Sequence, residues 1–268
     1  MLLTLTKTSS GYAGAITIGT SLQAPAMVAP AITAGGIANA ASGAAGVTPG
    51  SWISIYGTNL ASSTRSMAAT DVANNALPAT LGGIGVQING KAAYVNYVSP
   101  TLINVLSPDD SGSGPVAVTV TNAAGTSSAV STTLQAVLPG LFTLSNYLRA
   151  VRWPDGVIIN GTGAAESGYS SAAAAKPGDI LELYGTGFGP AAGAVAAGVV
   201  FQGAYATDNS VTVTIGGIRA NVSWAGLVGP GLYLINVTIP SLANGDHAVV
   251  ATVGGLKTQS GALLKIAG

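Results

Sequence analysis

The chain says the same thing twice. Residues 49–57 read Pro-Gly-Ser-Trp-Ile-Ser-Ile-Tyr-Gly and residues 177–185 read Pro-Gly-Asp-Ile-Leu-Glu-Leu-Tyr-Gly, with Thr58 and Thr186 following. The match continues in order. Val86 to Gly90 answers Val213 to Gly217, Tyr94 to Tyr97 answers Asn221 to Trp224, and Ile103-Asn104-Val105 answers Ile235-Asn236-Val237. Pro108 and Pro240 close the two blocks. An ordered repeat of about 130 residues is far longer than a solenoid period, so it marks two copies of one domain. A length of 268 residues accommodates both, each with its own core.

The repeated segments read as strands. Residues 52–56 and 180–184 alternate as half-buried strands do, with Ile53 and Ile55 on one face and Trp52, Ser54 and Tyr56 on the other. Residues 116–120 and 248–253 are rich in β-branched side chains, which suit a pleated surface. Asn89-Gly90, Gly216-Gly217, Asp155-Gly156 and Asn244-Gly245 supply the positive φ of tight turns. Short strands with turns at this spacing predict an all-β chain of two tandem immunoglobulin-like β-sandwich domains, preceded by an extended N-terminal strand segment. The expected division is 1–35 for that segment, 36–145 for the first sandwich, 146–174 for a hairpin or linker, and 175–268 for the second sandwich.

Composition narrows the function. Only 7% of residues are charged, with nine basic and nine acidic side chains, against about 25% in ordinary soluble domains. A chain with no net charge lacks the repulsion that keeps molecules apart. Two readings follow: an extracellular domain with a Ser/Thr surface, or a subunit buried against copies of itself. The basic residues form no cluster, which argues against nucleic acid. Cys is absent, so there is no disulfide framework and no thiolate metal site. Prolines and glycines interrupt the long uncharged stretch before residue 64, and no membrane span is expected.

Several motifs resemble a known family. These are residues 36–42 (Gly-Ile-Ala-Asn-Ala-Ala-Ser), Pro49-Gly50, residues 55–60 (Ile-Tyr-Gly-Thr-Asn-Leu), Leu77-Pro78 before Leu81, residues 97–100 before Ile103-Asn104, and residues 139–142 (Pro-Gly-Leu-Phe). Together they are similar to the Solibacter-type C-terminal domain of secreted bacterial proteins, a relative of the IPT/TIG immunoglobulin-like repeats. The resemblance covers roughly residues 36–266. It implies the fold and an extracellular or cell-surface location, and it implies no chemistry.

The residues themselves offer no catalytic constellation, no cofactor and no metal site. The single histidine, His247, has no counterpart in the first copy, where Gly114-Pro115 stands. Asp109-Asp110 is the only adjacent acidic pair, a weak calcium candidate because hard cations need several more oxygens. Trp52, Trp153 and Trp224 are candidates for a sugar-stacking platform. Ahead of both repeats, residues 3–6 and 15–18 alternate as strands without a partner in the repeat plan. Leu3, Leu5, Ile16 and Ile18 are therefore the candidate subunit contacts, added to a neighbour's sheet edge as a donor strand. The chain is expected to be a non-enzymatic structural subunit of an extracellular filament, with copies of itself as partner. The alternative is a monomeric cell-surface or carbohydrate-binding adhesion module.

Overall fold

The computed structural model describes residues 2–8, 11–17, 28–166 and 168–268, and the architecture is strand almost throughout. At the N-terminus β1 (Leu2–Thr8) and β2 (Gly11–Thr17) pair antiparallel. The first sandwich follows with β3 (Ala31–Asn39), β4 (Trp52–Thr58), β5 (Ile84–Ile88), β6 (Tyr94–Val98), β7 (Leu102–Leu106), β8 (Gly114–Asn122) and β9 (Val130–Leu134). The second is built on β10 (Ala150–Trp153), β11 (Ile180–Thr186), β12 (Val211–Ile215), β13 (Ile218–Gly229), β14 (Leu232–Thr238), β15 (Gly245–Val253) and β16 (Leu263–Ile266).

In the first sandwich one sheet runs β3-β4-β7-β6, and the facing sheet joins β5, β8 and β9. Alternation along β4 and β7 puts Ile53, Ile55, Ile103 and Val105 into the space between them, all fully buried. In the second sandwich β10-β11-β14-β13 faces β12-β15-β16, and Leu181, Leu183, Ile235 and Val237 fill the matching positions. Burial of each such side chain contributes roughly 1.5–3 kcal/mol, which is why alternation decides which face turns inward.

The repeat holds to the level of an irregularity. β7 meets β6 with one extra residue, Asn96, skipped between Tyr97 and Val95. β14 meets β13 with Ser223 skipped between Trp224 and Val222. Such a bulge bends a strand, and here the bend lets one run of chain serve both sheets. Residues 218–220 of β13 pair with β12, and residues 221–229 pair with β14. The first copy does the same with Lys91–Ala92 on β5 and β6 on β7, around the buried Ala93.

Element boundaries depart from the expected division in two places. β3 begins at Ala31 rather than after residue 35, because Ile32 is needed in the first core. Residues 146–174 are more than a linker: Leu148, Ala150 and Ile159 belong to the second core, as do Val137 and Leu141 before them. The hairpin expected there is present, with Ala150 opposite Ile159 and Val151 opposite Ile158, and β10 pairs in turn with β11.

The N-terminal strands stand outside both sandwich sheets. They were expected to lack a partner in the repeat plan, and they partner each other, with Leu3 opposite Ile16 and Leu5 opposite Gly14. Among the described residues this two-stranded sheet has no pairing to either sandwich. Closing a short local loop orders less chain than reaching a distant sheet edge. Ile18 lies outside the described residues.

Equivalent core positions should respond alike. Ile53→Ala and Leu181→Ala are each expected to destabilise their own sandwich by about 2–5 kcal/mol in chemical denaturation, through the cavity each leaves.

Candidate functional site

The two sandwiches meet at a polar joint with apolar flanks. The indole N–H of Trp52 donates to the carbonyl of Pro230 at 2.9 Å, and its backbone N–H donates to Oγ1 of Thr186 at 3.0 Å. The Thr186 hydroxyl donates in turn to the carbonyl of Gly231 at 2.7 Å, and Thr186 and Leu106 are fully buried. Gly231 has φ +65°, and a Cβ there would lie 2.4 Å from Cδ1 of Leu106 and 3.0 Å from the Trp52 ring. Only glycine lets the turn between β13 and β14 approach so closely.

The connecting segment is clamped from both sides. Asn39 is 1% exposed; its amide nitrogen donates to the Leu138 carbonyl at 2.7 Å, and its Oδ1 accepts from the Ala41 and Ser42 N–H groups. Gln259 of the second sandwich bonds both the N–H and the carbonyl of Leu141. The motif at residues 36–42 therefore has a mechanical basis, since Asn39 fixes the start of the linker against the first domain.

A second contact comes from the long loop between β11 and β12. The Leu77 N–H donates to Gly198 O at 2.8 Å, the Val200 N–H to Asn75 O at 2.6 Å, and the Ala197 N–H to Oδ2 of Asp109 at 2.8 Å. Gly198 lies directly on the Tyr94 ring, 2.2 Å from where its Cβ would stand, with φ +83°.

Between joint and loop lies a cleft of about 710 Å³. The first domain lines it with Lys91, Asp109 and Asp110, and the second with Phe201, Leu227 and Tyr233. Lys91 Nζ donates to the Asp109 carbonyl at 2.9 Å and lies 3.3 Å from Oδ2 of Asp110. The Asp110 carboxylate also accepts from Asn89 Nδ2 at 2.9 Å and from the Gly112 N–H at 2.8 Å. These bonds, the one from Asn89 foremost, hold its pKa below the usual carboxylate value. Tyr233 is buried and donates its hydroxyl to the Gly189 carbonyl, and burial pushes its phenol pKa well up. It stays a neutral donor. An interdomain cleft of this size, apolar with a few fixed polar groups, is where small ligands bind.

The residues singled out from sequence separate. Asp109 and Asp110 reach the cleft, where Lys91 supplies the cation that Asp110 faces. His247 lies on β15, where its ring Nε2 donates to the Ala243 carbonyl, 2.8 Å away, and covers Gly216. The three tryptophans do not converge. Trp52 is in the joint, Trp224 lies against Gly226 on the outer face of β13, and Trp153 stands 61% exposed at the end of β10. Leu3 and Leu5 lie on β1 and Ile16 on β2, with Leu3 opposite Ile16. Lys91, Phe201 and Tyr233 were not legible, since the cleft exists only once the domains dock.

The two copies have diverged on the outer face of the joined sheets. In the first, Ser54 donates to Oδ1 of Asn104 at 2.9 Å. In the second, Glu182 replaces Ser54 and, as an acceptor, takes the Tyr184 hydroxyl at 2.9 Å. Oδ1 of Asn236, the counterpart of Asn104, is left buried without a partner.

This geometry defines a pair of immunoglobulin-like β-sandwiches held as one body around a cleft. The IPT/TIG domain model matches residues 44–135, which supports the IPT/TIG side of the family resemblance. No curated protein matches the chain. Among solved structures it is similar to SGBP-B of the Bacteroides ovatus mixed-linkage glucan utilization locus, solved with a mixed-linkage heptasaccharide, at 13% identity over 83% of this chain and 44% of that one, TM-score 0.33. It is similar to the Escherichia coli adhesin FdeC at 14% identity over 90% of this chain and 67% of that one, TM-score 0.27. It is also similar to the surface glycan-binding protein PbSGBP-B of Prevotella bryantii at 13% identity over 88% and 42%, TM-score 0.27. The chain thus spans less than half the length of the two glycan-binding structures. No helix among the described residues is long and apolar enough to cross a membrane.

Two outcomes follow from the joint and the cleft wall. Gly231→Val should leave both sandwiches folded but unlock them, raising the radius of gyration in solution scattering. Asp110 titrates lower in the folded chain than when free, so its bonds are in full force above about pH 4. They are lost as the pH falls through the lowered value, and the Gly112 amide resonance, followed by NMR, should move over that acid range.

Proposed function

We propose that the chain is a non-catalytic adhesion module of the bacterial cell surface that takes a carbohydrate segment in its interdomain cleft. The observation that carries this reading is the cleft itself. Its first-domain wall presents Lys91, Asp109 and Asp110 in a fixed hydrogen-bonded set, and its second-domain wall presents Phe201 and Leu227. Sugars need both kinds of wall: polar groups for the hydroxyls and an aromatic face for the apolar side of the ring. An exported location is supported by the ordered motifs that resemble the Solibacter-type domain. The absence of enzymatic activity is part of the proposal; His247 bonds a backbone carbonyl, and Asp110 is engaged by Asn89, Gly112 and Lys91.

The filament reading has one observation in its favour. A two-stranded sheet by itself is marginal in water, and among the described residues β1 and β2 pair only with each other. Addition to a neighbour's sheet would give it a third strand.

An oligosaccharide array followed by calorimetry tests the adhesion reading. At least one neutral oligosaccharide should bind, and Phe201→Ala should weaken it about tenfold, on the order of 1.4 kcal/mol for one aromatic contact. Binding by no oligosaccharide, or binding indifferent to Phe201, contradicts the cleft as the site.

A further inference from the structure

We infer that the outer face of the sheet β10-β11-β14-β13 is a second carbohydrate site, which takes a neutral oligosaccharide laid across the strands from Trp153 to Trp224. The cleft reading is not needed for it. Register puts the residues of this face in two rows. Trp153, Ile180, Thr238 and Asn221 stand opposite one another in turn, and so, one step along the strands, do Val151, Glu182, Asn236 and Trp224. Leu181 and Val237, between the rows, turn into the core, so both rows face outward. The two tryptophans therefore stand at opposite corners. Three strand spacings of about 4.8 Å and one two-residue step of about 6.8 Å separate them by about 16 Å. That is the length of a short oligosaccharide rather than of a single sugar.

Both indoles are held before any ligand arrives. Trp224 lies over Gly226, where a Cβ would stand 2.5 Å from Cζ2 and 2.6 Å from Cη2 of the ring. Glycine is what lets the indole lie down on its own strand. Trp153 is 61% exposed, and its base is fixed: Arg152 beside it bonds Asp155 at 2.7 Å, and the Gly156 N–H donates to the Arg152 carbonyl at 2.9 Å. Such a platform loses little freedom on binding. Each indole offers an apolar face to the flat side of a sugar ring.

The groups between the two indoles lack donors. Tyr184 donates to Oε2 of Glu182 at 2.9 Å, and Oε1 accepts no bond among the described residues. Oδ1 of Asn236 has no partner, so it has no bond to give up when a ligand hydroxyl arrives. In the first copy Ser54 satisfies the matching Asn104. The second copy thus gave up a hydrogen bond of the fold when Glu182 replaced Ser54, and costs of this kind are kept where function needs them. Sugar hydroxyls supply the missing donors. The surrounding charges suit a neutral ligand: Arg152 is paired with Asp155 and Asp179, Arg149 is paired with Glu166, and Glu182 repels an anion. The first domain cannot offer the same face, because Trp52 and Leu106, at the places of Ile180 and Thr238, are taken up by the joint.

Affinity electrophoresis of the full chain, in gels containing mixed-linkage glucan, xylan or galactomannan, tests this. At least one of these neutral polymers should retard the native chain. Trp153→Ala and Trp224→Ala should each weaken binding, read from the mobility, about tenfold. Trp224→Tyr, which restores the residue of the first copy, should weaken it less. Glu182→Ser recreates the Ser54–Asn104 pair, so it should weaken capture without lowering the melting temperature, whereas misfolding would lower both. Retardation by none of the polymers, or Trp153, Trp224 and Glu182 variants that are captured as the native chain is, overturns the inference. Release by Phe201→Ala alone makes the cleft the site and overturns this one. Release by the tryptophan variants alone upholds this face and contradicts the cleft, so the two readings fail separately.

Discussion

The organisation of the molecule depends on one chain of hydrogen bonds, from the Trp52 backbone N–H to the Thr186 hydroxyl and from there to the Gly231 carbonyl, with the Trp52 indole on Pro230 alongside. Each bond crosses or supports the boundary between domains, and Thr186 is fully buried. A buried hydroxyl must be satisfied, and here it is satisfied as acceptor and donor at once. The bonds fix a distance and a direction together, which apolar packing alone does not.

The cleft follows from that constraint. With the joint set, the loop between β11 and β12 is carried to Asn75, Leu77 and Asp109, and the space left between loop and joint is walled by both domains. Neither sandwich alone would present Lys91 together with Phe201. Duplication thus supplied a site that a single domain lacks, while the sequence identity of the copies relaxed where they face solvent. The exchange of Ser54 for Glu182, which leaves the Asn236 side-chain oxygen without a partner, is one trace of this.

The fold was legible because its signals are local. Alternation at Ile53 and Leu181, Asn-Gly turns, and the ordered repeat all act within a few residues of themselves. Even Asn96 and Ser223 sit at matching places in the repeat, although nothing in their identity announces a bulge. The site was legible only in part. Asp109 and Asp110 stood out as an acidic pair, but Phe201 and Lys91 come together across more than 100 residues through the joint. Trp52 was read as a sugar-stacking candidate, and alternation placed it on the face of its strand opposite Ile53 and Ile55. That is where it is, and the second domain covers it. The N-terminal strands illustrate the opposite limit: alternation identified them, and it carries no information about which edge they take.

The account stands on the two sandwiches being one rigid body. The chain has no cysteine, so single cysteines at the exposed Thr126 and Leu256 can carry nitroxide labels without other changes. Their distance distribution, measured by pulsed electron–electron resonance, should be one narrow population that does not move on addition of ligand. A broad distribution, or two populations, would mean that the bond chain through Thr186 does not lock the domains and that the cleft is not a standing feature of the molecule.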